Sequence, residues 1–117
     1  MTVESDLAAL LQALCPRVSP DFAPAGTARP FITYQAIAGQ ALRFADNTAA
    51  DKRHTLMQIN VWAASRAAAL LLVRQVEDAM CSATAFTARP AAEPSSDSDS
   101  DLSLYGCLQD FDIWSAR

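Results

Sequence analysis

Apolar positions in the first fourteen residues recur at helical spacing. Val3, Leu7, Leu10, Leu11 and Leu14 form one stripe at intervals of three and four, which predicts an amphipathic helix over residues 2–14. Thr2 or Ser5 supplies its cap, Glu4 and Asp6 suit the positive end of its dipole, and Pro16 stops it by removing a backbone donor. From Arg17 to Arg29 the period is lost and Pro, Ala, Gly and Asp dominate, which reads as a loop. Phe31 to Ile37 is then aromatic and β-branched, predicting a strand. Ala38-Gly39-Gln40 makes a turn, Ala41 to Ala45 a return strand, and Asp46-Asn47-Thr48 a second turn.

The clearest alternation runs from Arg53 to Ala63. Thr55, Met57, Ile59, Val61 and Ala63 give an apolar face for helices to cover, while His54, Leu56, Gln58, Asn60 and Trp62 give a mixed one. Ser65 caps a second helix over residues 66–83, whose stripe is Ala69, Leu72, Val73, Val76, Met80 and Ala83. Leu102 to Leu108 and Phe111 to Trp114 close the chain as one long strand or a bulged hairpin, with Gly106 and Gln109-Asp110 as the irregular points. The pattern describes a single α+β domain over residues 1–117, in the order α-β-β-β-α-β. Short connections predict an antiparallel sheet of about four strands with both helices packed on one face. Residues 90–101 (PAAEPSSDSDSD) lack large apolar side chains and cannot offset their ordering entropy. They are expected to form a mobile acidic loop within the domain, long enough to reach a neighbouring molecule.

Charge and cysteine usage narrow the function. Nine Lys and Arg against thirteen Asp and Glu leave a formal charge of −4, which argues against a dedicated nucleic-acid binder. Cys15, Cys81 and Cys107 are odd in number, far apart and without a CxxC pair, so neither a disulfide framework nor a zinc cluster is indicated. The longest apolar run, Ala67 to Val73, falls far short of the ~20 residues that span a bilayer. Glu4 and Asp6 stand where a signal peptide carries positive charge. These features read as a reduced, cytosolic protein with no membrane association.

The residues of chemistry do not assemble into a site. His54 has no nucleophile motif beside it and reads as a surface imidazole packed against strand neighbours. Asp97-Ser98-Asp99-Ser100-Asp101 imitates the start of a calcium loop, but Leu102 and Leu108 stand where glycine and a bidentate glutamate belong. Gly26, Gly39 and Gly106 are scattered, so no phosphate-cradling loop exists. Glu77 and Asp78 diverge on a helix, and Asp110 and Asp112 read as a solvated strand face. No catalytic residue, cofactor or metal is therefore expected, and the chain reads as no enzyme. What remains is the mixed sheet face. Leu56, Trp62, Leu104, Leu108 and Trp114, with Gln58 and Asn60 among them, make it more apolar than a monomer of this size is expected to expose. These seven residues are the candidate interface. A competing reading, a small ligand-binding α+β domain, requires a pocket around His54, Gln58 and Asn60.

Three segments carry a resemblance. Arg29-Pro30-Phe31-Ile32-Thr33-Tyr34-Gln35, followed by Ile37 and Gly39, is similar to the opening strand of a family of small phage and prophage tail proteins. Leu56-Met57-Gln58-Ile59-Asn60-Val61-Trp62-Ala63, then Ser65-Arg66-Ala67-Ala68, resembles that family's central strand and the helix it feeds. Asp110-Phe111-Asp112-Ile113-Trp114 resembles its closing strand. The family is that of the tail completion, or tail terminator, proteins of long-tailed phages. The resemblance implies a structural α+β subunit, without cofactors, that assembles with itself as a ring, often a hexamer, on the finished tail tube. It implies two further partners, the tail tube protein and the head–tail connector, with DNA passing through unbound. It also implies a place in the virion tail, reached from the host cytoplasm during assembly, where a neck or head-completion protein is the alternative. The Ala-rich second helix and the acidic segment depart from the family's usual length and composition. Asp97, Asp99 and Asp101 are the candidates to line a lumen that repels phosphate or to reach a partner.

Overall fold

Thr2 starts the first helix as its position predicts. In the computed structural model, which describes residues 2–100 and 102–117, its hydroxyl accepts the Ser5 N–H at 3.1 Å and the Ser5 hydroxyl accepts the Thr2 N–H at 3.1 Å. The two candidate caps thus act together. Helix α1 (Val3–Gln12) buries Leu7 and Leu11. Ser65 caps α2 (Arg66–Cys81) by accepting the Ala68 N–H at 3.2 Å. The predicted stripe of that helix is buried throughout at Ala69, Leu72, Val73, Val76 and Met80, with Ala83 half-buried beyond its end. Both helices pack on one side of the sheet, against Ile32, Met57, Ile59, Val61, Phe111 and Ile113.

The strands are β1 (Val18–Pro20), β2 (Phe31–Ala38), β3 (Lys52–Ala63), β4 (Thr87–Pro90), β5 (Ser95–Asp99) and β6 (Leu104–Ala116). Their order is β1-β2-β3-β6-β4, with β5 also paired to β6. The fold is α+β with helices on one face, as expected. The sheet is nonetheless six-stranded and mixed, because β1 runs parallel to β2. That corrects the expectation of an antiparallel sheet of about four strands.

The two added strands at the far edge share one cause. Strand β6 is continuous over thirteen residues, and its register with β3 passes Gly106, Gln109 and Asp110 without a shift. Its other side presents a row of backbone donors and acceptors that need partners. Residues 87–90 and 95–99 supply them, so a segment of Ser and Asp becomes a strand where a mobile loop was expected. Charged side chains on this outer strand also discourage further strand addition. Residues 41–45 do not return along β2, whose partner is β3. They form a small hairpin with residues 48–50, closed by the single bridge Arg43–Ala49 and by the turn predicted at Asp46-Asn47-Thr48.

The molecule measures 52 × 25 × 23 Å. Its long axis follows the strands, since β6 alone reaches about 41 Å at ~3.4 Å per residue. Along β2, Phe31 to Tyr34 are buried while Gln35 to Ala38 are exposed. The second half of that strand therefore leaves the helix-covered core and carries residues 39–51 outward as an arm. Gly39 sits where the arm crosses β3. A Cβ there would lie 2.5 Å from the His54 carbonyl oxygen, an unyielding backbone atom. Gly39→Ala is expected to cost about 1–3 kcal/mol through the shift it forces. An unchanged urea midpoint would show that the approach is looser than this.

Candidate functional site

Strand parity decides which side chains leave the helix-covered core. Opposed residues in the ladder share a face, so Phe31, Trp62, Gly106 and Asp97 form one row across the open side of the sheet. The next rows are Thr33, Asn60, Leu108 and Ser95, then Gln35, Gln58 and Asp110. Leu56, Asp112 and Arg89 follow, and finally His54, Trp114 and Thr87. With Leu104 at the end of β6, all seven candidate interface residues stand on this one face, each half-buried. The face is not uniformly apolar. Trp62 and Leu104 mark one end and Trp114 the other, with amides and carboxylates across the middle.

At the Trp62 end the indole lies flat over Gly106. A Cβ on that glycine would come within 2.7 Å of the ring, so only glycine lets the tryptophan settle there. Residues 21–27 fold over this end of the face and, with Phe31, Trp62, Leu102 and Leu104, enclose a cleft of about 460 Å3. Arg29 fixes its far wall by donating to the carbonyls of Leu102 and Ser103, the latter at 2.9 Å. Asp21 in the cleft lining and Ser103, between the lining residues Leu102 and Leu104, both hold left-handed backbone, at φ 64° and 53°. Asp97 and Asp99 lie on its outer side along β5. Asp101 lies outside the described residues.

The opposite end is built around His54. Its Nδ1 accepts the Gln40 N–H at 2.9 Å, which leaves the ring proton on Nε2, donated to Asp112 Oδ1 at 2.8 Å. The ring tilts against Trp114 with centroids 5.1 Å apart. His54 is thus packed against strand neighbours as the sequence suggests, but its side chain is only 10% exposed and is not a surface imidazole. Each ring nitrogen is occupied by a structural partner. His54 lines a groove on the arm, whereas Asn60 lines the cleft at the other end. Among the described residues His54 and Asn60 therefore line different concavities and do not share the pocket that the ligand-binding alternative requires.

Three strongly exposed large apolar side chains lie beside this face, not on it: Phe22 is 78% exposed, Phe44 62% and Leu102 58%, while Leu71, at 62%, stands on α2 across the molecule. Phe22 and Leu102 rim the cleft, while Phe44 stands at the tip of the arm. Nothing periodic signals them. Each is a large apolar residue flanked by small or charged ones, Asp21 and Ala23, Arg43 and Ala45, or Asp101 and Ser103, and that isolation is the signal available. The arm tip is ordered by its own bonds. Asp46 Oδ1 accepts from the Thr48 N–H at 3.1 Å and hydroxyl at 2.6 Å, and these bonds hold its carboxyl below the usual aspartate range. Because the folded-state pKa is depressed, the turn keeps this support at neutral pH and loses it as pH falls through the lowered value. Protection of the Thr48 amide against exchange is expected to hold at neutral pH, fall in acid, and be low at every pH in Asp46→Ala.

On the helix side, the buried Gln109 Nε2 donates to Glu77 Oε1 at 2.6 Å and to the Ala92 carbonyl at 2.9 Å, tying α2 to the β4–β5 connection. Cys15 and Cys107 are buried. Cys81 is exposed, with its thiol pushed up first by partial burial and then by Glu77 and Asp78. Among the described residues no group of His, Cys, Asp and Glu is placed to hold a metal ion. No helix among them is long and apolar enough to cross a membrane.

No curated protein matches the chain. A family model described as "Tail completion protein gp17" matches residues 2–116, nearly the whole length. The elements that form the sheet, both helices and the open face all fall inside the match, and the chain belongs to this family of phage tail completion proteins.

Proposed function

We propose that this protein is a structural terminator of the phage tail. In this reading, copies assemble as a ring, of six where the family pattern holds, on the end of the tail tube. The ring stops tube growth and presents the surface to which the head connector joins, while DNA passes without specific binding. It acts in the virion tail, after assembly in the host cytoplasm. The observation that carries the reading is the division of the sheet. One side is sealed by two helices, and the other offers Leu56, Trp62, Leu104, Leu108 and Trp114 around a polar centre. Apolar anchors with polar groups between them are the composition of a protein contact, in which a few large side chains supply most of the affinity. A closed ring then uses two different patches of each copy without open-ended growth.

Electron microscopy of the protein mixed with its tail-tube subunits tests this. Tubes of uniform length with a cap at one end are expected. Tubes that keep growing, together with capture of the protein by isolated connectors alone, would move it to the neck or head-completion role.

A further inference from the structure

We propose that the arm tip, residues 42–50 with Phe44 foremost, docks in the cleft at the far end of the sheet of a second copy of this chain. The inference rests on the ring reading and names the contact that would join neighbouring copies. It begins with a mismatch of ends. The cleft lies at the Trp62 end of the strands and the arm projects beyond the His54 end of a molecule 52 Å long, so no chain fills its own cleft. Each end carries exposed apolar side chains that the fold does not use. Phe44 is held in place by the Phe44 N–H to Thr48 carbonyl bond at 3.0 Å and the Asn47 N–H to Phe44 carbonyl bond at 2.9 Å. A backbone fixed before binding loses little freedom on docking, so only the two side-chain torsions of Phe44 have to be ordered. The receiving cleft is walled by Phe22, Phe31, Trp62, Leu102 and Leu104, and its 460 Å3 is ample for one aromatic side chain and its backbone.

Charge points the same way. Arg43, Arg53 and Arg117 line one groove at the base of the arm. The cleft holds Asp21, with Asp97 and Asp99 along its outer side. Its own cation, Arg29, is held by the Leu102 and Ser103 carbonyls, which orient it but leave its charge in place. Arg43, Arg53 and Arg117 against Asp46 and Asp51 leave the arm end net positive, and Asp21, Asp97 and Asp99 against Arg29 leave the cleft end net negative, which favours arm-to-cleft pairing over arm-to-arm or cleft-to-cleft pairing. Joining unlike ends is a heterologous contact, the kind that closes into a ring when the rotation permits. The acidic segment takes the partner-reaching role in this arrangement, and not the lumen.

The test is a disulfide trap in the full chain. Phe44→Cys and Leu102→Cys are combined in a Cys81→Ser background and oxidised on capped tail tubes. A ladder of cross-linked multimers ending at the ring size is expected, with each single-cysteine chain stopping at dimers. Separately, Phe44→Ser, whose exposed position leaves the fold intact by circular dichroism, is expected to weaken assembly at least ~30-fold, as loss of a central anchor does. Arg43→Glu is expected to weaken it as well, with partial rescue by Asp97→Lys. If the unaltered protein caps tubes while the trap yields no ladder and Phe44→Ser assembles normally, the arm contact is wrong and the ring reading stands. If the unaltered protein neither assembles nor caps tubes, both fall. If Asp97→Asn leaves assembly unchanged but raises DNA retention at low salt, the acidic strand faces DNA and the rim pairing is overturned.

Discussion

A Phe111→Ala chain is expected to lose about 3–5 kcal/mol of stability, the range for removing a fully buried aromatic ring. Phe111 is 0% exposed and lies on β6, opposite Met57 on one side and Pro90 on the other. β6 is the strand to which β3, β4 and β5 all attach, so no neighbouring element can close the void without breaking a ladder. A domain of this size has about 5–15 kcal/mol in total. The substitution therefore removes about a fifth of the margin or more and lowers the melting temperature by roughly 10–20 °C. Urea unfolding measures it. The midpoint should fall while the slope with denaturant stays the same, because the surface exposed on unfolding is unchanged. A loss below about 1 kcal/mol would show that the ring is not packed between β6 and α2. The open-face neighbour Asp112→Asn, which leaves no cavity and keeps an oxygen to accept from His54 Nε2, is expected to shift the midpoint far less.

Phe111 is also a residue whose place is legible in the sequence. Alternation at residues 53–63 and the stripe from Ala69 to Met80 identify the two faces of β3 and the buried side of α2. The caps at Thr2 and Ser65 are local chemistry and are correctly read. What the sequence hides is whatever depends on a distant partner. Val18–Pro20 and Ser95–Asp99 have no strand signal of their own, and they become strands because β2 and β6 leave backbone groups to be satisfied. Residues 41–45 have a strand-like composition, yet the long β2–β3 pairing takes the place they would have occupied. The open face shows the same division. Parity alone places Leu56, Gln58, Asn60, Trp62, Leu104, Leu108 and Trp114 together, because one side of a strand is a local property. The cleft beside them depends on how residues 21–27 fold back and on the indole settling over Gly106, neither of which has a sequence period.

Leu108→Asp is expected to abolish tube capping while leaving the subunit folded. Leu108 is half-buried on the open face between Asn60 and Ser95, so in the isolated subunit a carboxylate there remains hydrated. In a contact made through that face it would be stripped of water with no cation opposite it on the sheet. An uncompensated charge in such a place costs about 3 kcal/mol or more, a loss of at least ~100-fold in affinity. Circular dichroism and the urea midpoint should remain close to those of the unaltered protein, and microscopy of tail tubes should show uncapped, irregular lengths. The informative control is Leu70→Asp, at a 39% exposed position on α2 on the opposite side of the molecule. It carries the same charge change and should still cap. If Leu70→Asp is the chain that fails and Leu108→Asp caps normally, the helical layer makes the contact and the open sheet faces solvent. Failure of both with intact folding would place contacts on both layers, as in a subunit held between the tube on one side and the connector on the other.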